Sequence, residues 1–341
     1  MTDKISVISA GSWGTALAAH LSGKNYDVKL WAREEEVVSS IKKSGINEIF
    51  LPGIKLPENL VCTNSLEEAV RGSKVVFMVT PAQYARQSME AAAEFMEPET
   101  KILLASKGIE KKTLKLMHEI AEEVFPRTRA GSVSVLSGPT FAREFALGTP
   151  SAAVVAGHNS SDVSFMQELL SSRHFRAYKS TDVIGVELGG ALKNIVALGV
   201  GMLEGAGQGK NTQAALMTRA IAEITRLVTK MGGNPFTVSG LSGTGDLILT
   251  CTGGLSRNRQ VGIRLGKGEK ISGILESMNM VAEGVETSFS AYELSLKSNV
   301  EMPIVEAVYR VVHEKTDMES TFRALMARSL KNEFYGYGVP S

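Results

Sequence analysis

Residues 5–14 read ISVISAGSWG, and this stretch decides the fold. Its apolar start is typical of a buried strand, and residues 15–21 after it have a helix-like pattern. The turn between them follows the G-x-G-x-x-G pattern of dinucleotide sites, with Gly11 and Gly14 at the second and third glycine positions and Ser9 at the first. This context favours a nucleotide-binding turn over the alternative, a tight strand-to-helix turn that holds no ligand.

Short apolar runs alternate with helix-like segments along the rest of the first half. The runs are Val28–Trp31, Leu60–Cys62, Val75–Val79, Ile102–Leu104, Val133–Leu136 and Ala152–Val155. Strands that are apolar throughout are typical of a parallel sheet covered on both faces. We therefore predict an α/β fold with a Rossmann-type, doubly wound, mainly parallel sheet.

The second half of the chain changes character. From about residue 181, helical periodicity dominates, as in Ala214–Met231 and Ser288–Leu296, and glycine clusters punctuate it. We predict a dinucleotide-binding domain over 1–184, an all-helical substrate and catalytic domain over 185–332, and a poorly ordered tail over 333–341.

The charge balance and the cysteine count argue against several classes of protein. The 37 Lys and Arg residues against 36 Asp and Glu residues give a net charge of +1, without the basic excess of a nucleic-acid-binding protein. Two cysteines, Cys62 and Cys251, cannot form a disulfide framework, and the five histidines lack the spacing of metal ligands. We expect no nucleic-acid partner, no metal site and a cytoplasmic location.

The start of the chain lacks a signal-peptide pattern. The longest apolar stretch, from about residue 183 to residue 206, contains Glu187, Lys193 and Glu204, which a membrane-spanning helix would rarely tolerate. We therefore expect no transmembrane segment.

Arg33 follows the second predicted strand, where an NAD site usually places an acidic residue for the ribose hydroxyls. Its guanidinium could instead face the 2′-phosphate of NADP. The alternative is that Arg33 begins a solvated helix, because three glutamates come directly after it.

Polar turns follow three later strands. Thr80-Pro81, Ser106-Lys107-Gly108 and Gly138-Pro139-Thr140 lie where open parallel sheets bind ligands, beyond the carboxyl ends of the strands. Lys107 would present a cation there, and Pro139 suits the first turn of an anion-attracting helix. Each turn alone could be plain surface, but together they favour an anion-binding crevice.

Lys193 lies in an apolar, glycine-rich segment, residues 189–199. A buried ammonium group needs a partner, so we expect Lys193 to be paired or to line a polar cleft, as a general acid or base would. The alternative is a lysine whose stem covers apolar surface while its ammonium group reaches water. Asp246 could orient Lys193, or it could cap a helix.

Ser256, Arg257 and Asn258 combine a forked cation with two small hydrogen-bonding side chains. This set is suited to clamp a phosphate group. The alternative is a capped helix with exposed arginines.

Seven stretches together resemble the bacterial-type NAD(P)-dependent glycerol-3-phosphate dehydrogenases, and the resemblance runs through about residue 330. They are AGSWGTALA from Ala10, ASKGIE from Ala105, SGPTFARE from Ser137, GGALKNIVALG from Gly189, GLSGTGDLILTCT from Gly240, SRNR from Ser256 and VAEGVETS from Val281. So many motifs in this order are a far more specific signal than one glycine motif.

The resemblance implies a Rossmann-type domain followed by a helical domain. It also implies reversible reduction of dihydroxyacetone phosphate to sn-glycerol 3-phosphate for phospholipid synthesis, with NADP or NAD as cofactor and Lys193 as the proton acceptor in oxidation. The positions that match substrate contacts are Lys107, Gly138, Thr140, Lys193, Asp246, Ser256, Arg257 and Asn258. Those that match nucleotide contacts, beside Gly11 and Gly14 of the turn, are Ser12, Trp13, Arg33, Lys107, Ala142, Arg257, Val281 and Glu283.

The family usually has glycine where this chain has Ser9, and this departure bears on cofactor affinity. Because Arg33 follows a strand that ends without an acid, we expect NADPH to be accepted at least as well as NADH.

Two other functions stay open on the sequence alone. One is a related dehydrogenase for another hydroxy acid or polyol, against which the phosphate clamp at residues 256–258 argues. The other is a non-enzymatic nucleotide sensor, which would need neither Lys193 nor a second anion site. We expect a small phosphorylated molecule as substrate, and the oligomeric state is left open, with a homodimer as one possibility.

Overall fold

The computed structural model describes residues 3–125, 132–278 and 281–333. The chain forms two compact units. The first holds the residues up to Lys107 together with Met117–Val183, and the second holds Gly108–Leu116 together with the chain from Ile184 onward. From residue 334 the predicted tail lies outside the described residues.

In the described part of the first unit, strands alternate with helices. The strands are β1 (Lys4–Ile8), β2 (Asp27–Trp31), β3 (Val61–Thr63), β4 (Val75–Met78), β5 (Lys101–Leu104), β6 (Val133–Ser137), β7 (Ser151–Gly157) and β8 (Phe175–Ser180). The helices are α1 (Ser12–Gly23), α2 (Glu35–Ser44), α3 (Leu66–Val70), α4 (Ala85–Ala93), α5 (Met117–Val124), α6 (Ala142–Ala146) and α7 (Ser160–Leu170), with a 3-10 turn at Ala82–Tyr84.

The strands form one sheet in the order β3-β2-β1-β4-β5-β6-β7-β8. All neighbours are parallel except β6 and β7. Ile5 of β1 pairs with Val28 on one side and Val75 on the other, so the strand order reverses at β1. This topology confirms the predicted Rossmann-type sheet, and ligands of such sheets bind beside the reversal.

The strands that the sequence predicted are confirmed, whereas β8 was missed. All four residues of β4 are buried, which explains its continuous apolar run. In β8, the first four side chains alternate between buried and exposed, and the strand pairs only with β7, at the edge of the sheet. An edge strand of this kind carries the two-residue period of half-buried strands.

The segment Gly108–Leu116 belongs to the second unit although the sheet continues on either side of it. Ile109 and Leu116 are buried in the apolar core of that unit. Leu114 has a φ of +62°, which a helix does not allow, and the following helix begins only at Met117.

The described part of the second unit is otherwise helical. Its helices are α8 (Val183–Gly205, with its first residue in the first unit), α9 (Lys210–Lys230), α10 (Pro235–Val238), α11 (Asp246–Thr252), α12 (Arg257–Gly266), α13 (Ile271–Glu276), α14 (Glu283–Lys297), α15 (Pro303–His313) and α16 (Met318–Met326). A five-residue π-helical turn, Leu241–Gly245, leads into α11.

Helix α8 is long and apolar enough to cross a membrane by length and composition, the one such helix among the described residues. However, 89% of its most apolar window is buried inside the protein. Such burial is typical of a core helix, which is apolar all round because other elements surround it.

Four glycines bring the backbones of α8 and α12 into contact. A Cβ atom added to Gly201 or Gly205 of α8 would lie 2.2 or 2.1 Å from a carbonyl oxygen of α12, and one added to Gly262 or Gly266 of α12 would lie 2.2 Å from one of α8. No real side chain fits at such distances. Helix α12 is therefore fixed against the second half of α8.

Glu223 holds the start of α15 from inside the second unit. Its carboxylate accepts hydrogen bonds from the backbone N–H groups of Ile304, at 2.9 and 3.1 Å, and of Val305, at 3.3 Å. Only 3% of Glu223 is exposed, and burial raises the pKa of its carboxyl group to about 8.

We expect this pKa to make stability fall as the pH rises. Since the folded chain holds the Glu223 proton more tightly than the unfolded chain, its contribution is complete below about pH 4.5 and is lost as the pH approaches about 8. Relative to Glu223→Gln, the wild type should lose at least about 2 °C of Tm across this range, measured by thermal unfolding. Glu276→Gln, at an exposed residue of α13, is the control. Parallel pH profiles of wild type and Glu223→Gln would contradict this expectation.

Candidate functional site

The turn between β1 and α1 is held tightly at both ends. The Ser9 N–H group donates to the Trp31 carbonyl at 3.2 Å, which ties the turn to the end of β2. A Cβ atom at Gly14 would lie 1.9 Å from the Ser9 carbonyl oxygen, so only glycine allows α1 to start so close to the strand.

The residues of this turn fit a dinucleotide. No side chain caps α1, and its first turn carries no acidic residue. A Cβ atom at Gly11 would meet no atom closer than 3.7 Å, so the backbone is open to a ligand on this side. The positive end of the α1 dipole and its N–H groups attract the diphosphate of such a cofactor.

Ser12 and Trp13 lie in the first turn of α1, and Ala142 lies on a helix that packs against α1 within the first unit. The Ser12 hydroxyl donates to the Phe50 carbonyl at 2.6 Å. The Trp13 ring meets the Phe145 ring edge-on, with 5.0 Å between centroids. Ala142 is the first residue of α6, the helix that carries Phe145, and this contact therefore brings α6 against α1.

Arg33 lies two residues beyond β2 and just before the start of α2. Its side chain is 74% exposed and binds the Glu34 carboxylate, with Nη2 at 2.9 Å and Nε at 3.2 Å from Oε1. Glu34 occupies the N-cap position of α2, so Arg33 itself lies outside the helix. The guanidinium is accessible, but a neighbouring carboxylate competes for it.

Lys107, Gly138 and Thr140 come together beyond the ends of β5 and β6. The Lys107 ammonium group and the Thr140 hydroxyl both donate to the Gly138 carbonyl, each at 3.2 Å. The placement of Pro139 in the first turn of a helix is wrong, because α6 begins only at Ala142, with Phe141 at its N-cap. This group therefore offers a cation and a hydroxyl rather than a helix terminus.

The second unit holds Lys193 on α8 in a polar contact inside the protein. Its Nζ atom lies 2.6 Å from Asp246 Oδ1 and 2.7 Å from Thr250 Oγ1, and only 7% of the residue is exposed. The Thr250 hydroxyl in turn donates to the Asp246 backbone carbonyl at 2.6 Å. Lys193 is therefore a paired, buried ammonium group.

The π-helical turn, Leu241–Gly245, directs Asp246 toward Lys193. The Gly245 N–H group bonds the Gly240 carbonyl, five residues back, and Asp246 follows as the first residue of α11. No side chain caps α11, so the Asp246 carboxylate orients Lys193 instead of capping its helix. Local π-helical turns of this kind occur frequently at functional sites.

Asn258, near the start of α12, joins two other helices. Its Nδ2 atom donates to Asn194 Oδ1 at 2.9 Å, beside Lys193, and its Oδ1 atom accepts from the Gly284 N–H group at 2.9 Å. Ser256 caps α12 by accepting from the Arg259 N–H group at 3.2 Å. The helix cap that the sequence left as an alternative is therefore present.

Arg257 is the first residue of α12 and lies close to Val281 and Glu283. Its Nη1 atom donates to the Val281 carbonyl at 3.3 Å. Burial lowers the pKa of the Arg257 guanidinium, and the nearby Glu283 carboxylate opposes that shift. The guanidinium is half-buried, so an anion bound to it would be poorly screened by water.

Thr250 and Asn194 are the polar partners that sequence reasoning missed. Thr250 is four residues after Asp246 on α11, a spacing that places both on one helix face, and this could have revealed it. Asn194 follows Lys193 directly. Among the described residues, no group of three or more His, Cys, Asp or Glu side chains could hold a metal ion.

Comparison with known proteins places both units in one family. The family model for the NAD-dependent glycerol-3-phosphate dehydrogenase N-terminus matches residues 4–163, and the family model for the C-terminus matches residues 182–323. The chain belongs to the NAD-dependent glycerol-3-phosphate dehydrogenase family. It is therefore an oxidoreductase of the glycerol-3-phosphate dehydrogenase type that uses NAD or NADP, as the sequence predicted.

Individual glycerol-3-phosphate dehydrogenases match along nearly the whole chain. The glycerol-3-phosphate dehydrogenase [NAD(P)+] of Citrifermentans bemidjiense is 48% identical over 333 residues, 98% of this chain and 99% of that protein. That of Myxococcus xanthus is 46% identical over 97% of this chain and 99% of that protein. The crystal structure of the Coxiella burnetii glycerol-3-phosphate dehydrogenase is 35% identical, covers 96% of this chain and 99% of that chain, and has a TM-score of 0.91.

Proposed function

We propose that this chain catalyses the reversible reduction of dihydroxyacetone phosphate to sn-glycerol 3-phosphate, with Lys193 as the proton donor in reduction and the acceptor in oxidation. The observation that carries this proposal is the buried Lys193 ammonium group, 2.6 Å from the Asp246 carboxylate. Bound NAD(P)H supplies the hydride to C2 of the ketone. The test measures the oxidation of NADH and of NADPH by dihydroxyacetone phosphate, monitored through the loss of cofactor absorbance.

Lys193 supplies the proton that the C2 oxygen needs as its negative charge develops. A carboxylate and a hydroxyl fix its Nζ atom in one place, so little reorganisation is needed at the moment of transfer. In oxidation Lys193 first gives up a proton to solvent and then takes one from the C2 hydroxyl. Asp246 and Thr250 act on the reaction through Lys193.

Arg257 is the group that we assign to the phosphate of the substrate. Its forked guanidinium can form two parallel hydrogen bonds to phosphate oxygens, at the positive end of α12. We assign Ser256 and Asn258 to the phosphate as well, and both also hold this helix start in place through the contacts described above. Phosphate binding remote from C2 positions the carbonyl group for reaction.

In the first unit, we assign the cofactor to the β1–α1 turn. Gly11, Ser12, Trp13 and Gly14 would hold the diphosphate, and Arg33 would meet a 2′-phosphate. We assign Ala142, and in the second unit Val281 and Glu283, to further nucleotide contacts. We assign Lys107, Gly138 and Thr140 to the substrate, for which Lys107 supplies a cation. We also assign Lys107 to the cofactor.

The product would serve as a building block for phospholipid synthesis, and we place the enzyme in the cytoplasm. Its buried cysteines agree with a reducing compartment. We propose no nucleic-acid partner, given the net charge of +1.

Lys193→Met should lower kcat by ~10²–10⁴, the usual contribution of a positioned acid or base. Because this change leaves the Asp246 carboxylate buried without its cation, Lys193→Met/Asp246→Asn is needed as a neutral companion. Both variants should still bind NADPH, measured by its fluorescence. Lys230→Met, at an exposed end of α9, is the matched control and should keep full activity. A neutral double variant with more than about half of the wild-type kcat would refute the role of Lys193.

Arg257→Ala should lower kcat/KM for dihydroxyacetone phosphate at least about tenfold, the effect of one lost charge-assisted hydrogen bond. With unphosphorylated dihydroxyacetone the loss should be much smaller. Arg264→Ala removes another arginine of the same helix, one that pairs with Glu269, and should leave both substrates unaffected. If Arg257→Ala lowers kcat/KM by the same factor for both substrates, Arg257 does not bind the phosphate.

Wild-type enzyme should use NADPH at least as well as NADH, and Arg33→Ala should raise KM for NADPH about tenfold by removing a partner of the 2′-phosphate. KM for NADH should change much less. Arg71→Ala breaks a comparable exposed ion pair with Glu67 and serves as the control. Equal changes for both cofactors would show that Arg33 is a surface residue without this role.

A further inference from the structure

We propose that the Ser9 hydroxyl is a ligand of the cofactor's diphosphate, at the position where dinucleotide-binding turns have glycine. This proposal rests on the assignment of the β1–α1 turn to the cofactor. It makes the departure from the glycine motif a binding determinant of this chain.

The backbone at Ser9 is strained. Its φ of +98° lies in a region that residues with a side chain rarely adopt. The neighbours of Ser9 impose this conformation from two sides. Its N–H group is bound to the Trp31 carbonyl, and its own carbonyl oxygen lies against Gly14 of α1. The strain persists because β2 and α1 together fix the turn.

The Ser9 hydroxyl lies beside the part of the turn that a diphosphate must approach. Oγ is the nearest atom, at 3.7 Å, to a Cβ atom placed on Gly11, the residue whose backbone is open to the ligand. Within the described residues, no hydrogen bond engages this hydroxyl, and the residue is only half-buried. A hydroxyl so placed can donate to a diphosphate oxygen, and such bonds to charged groups are stronger than neutral ones.

The strain and the hydroxyl have opposite thermodynamic effects, which makes the proposal testable. The strain destabilises the free protein, whereas the hydroxyl bond stabilises the complex. Ser9→Gly removes both, and Ser9→Ala removes only the hydroxyl because alanine keeps the Cβ atom that disfavours positive φ. A serine that is merely tolerated in the turn would give a glycine variant that binds the cofactor as well as the wild type or better.

The experiment measures binding and stability of the full chain, without turnover. NADPH, NADH and ADP-ribose are titrated by calorimetry into the wild type, Ser9→Gly and Ser9→Ala, and each free protein is unfolded by heat. We expect Kd to rise about tenfold in both variants and for all three ligands, since all carry the diphosphate. The Tm of free Ser9→Gly should rise by about 2–4 °C, and that of Ser9→Ala should not.

The binding of Ser9→Gly decides the outcome. A Kd for NADPH within about twofold of the wild-type value, or a lower one, would overturn the proposal. A loss confined to Ser9→Gly would also overturn it, because backbone freedom rather than the hydroxyl would then be responsible. Failure of the wild type itself to bind any of the three ligands would instead refute the assignment of the turn to the cofactor.

Discussion

The ion pair between Lys193 and Asp246 is the constraint on which the second unit depends. A buried ammonium group without a partner costs several kcal/mol even after the protein relaxes, so the carboxylate must stay within hydrogen-bond distance. The two residues lie 53 positions apart, on α8 and α11, and their atoms are 2.6 Å apart. The helices must therefore keep one relative placement, which the π-helical turn before Asp246 helps to fix.

The glycine contacts between α8 and α12 extend the same placement to the residues that we assign to the phosphate. Backbones that touch at four glycines cannot slide without a clash, so the first turn of α12 stays beside Asn194. Asn258 then connects Asn194 to the start of α14, and Arg257 reaches the Val281 carbonyl just before that helix. Close packing of these helices thus holds Lys193, the proposed proton donor, in the same region as the residues that we assign to the phosphate.

Most of the sheet could be predicted because strands buried on both faces have continuous apolar runs, as in β4. The edge strand β8 carries only an alternating pattern, and the passage of Gly108–Leu116 into the second unit leaves no local signal. The sequence offered Asp246 as a partner for Lys193, but it also allowed the ammonium group to reach water. No spacing rule shows whether an aspartate 53 residues away is an ion-pair partner or a helix cap. Glu223 was not predicted because a glutamate in a helical pattern looks the same whether it faces water or caps a neighbouring helix.

The ligand contacts that we propose for the two units differ in kind. In the first unit the proposed diphosphate contacts are backbone N–H groups together with the Ser9 hydroxyl. The serine provides this hydroxyl at the cost of backbone strain. In the second unit the proposed chemistry depends on an ammonium group, a carboxylate and a guanidinium, each fixed by a specific partner. No other side chain offers the same charge and geometry there, because arginine and lysine differ in shape and in how they hold a proton.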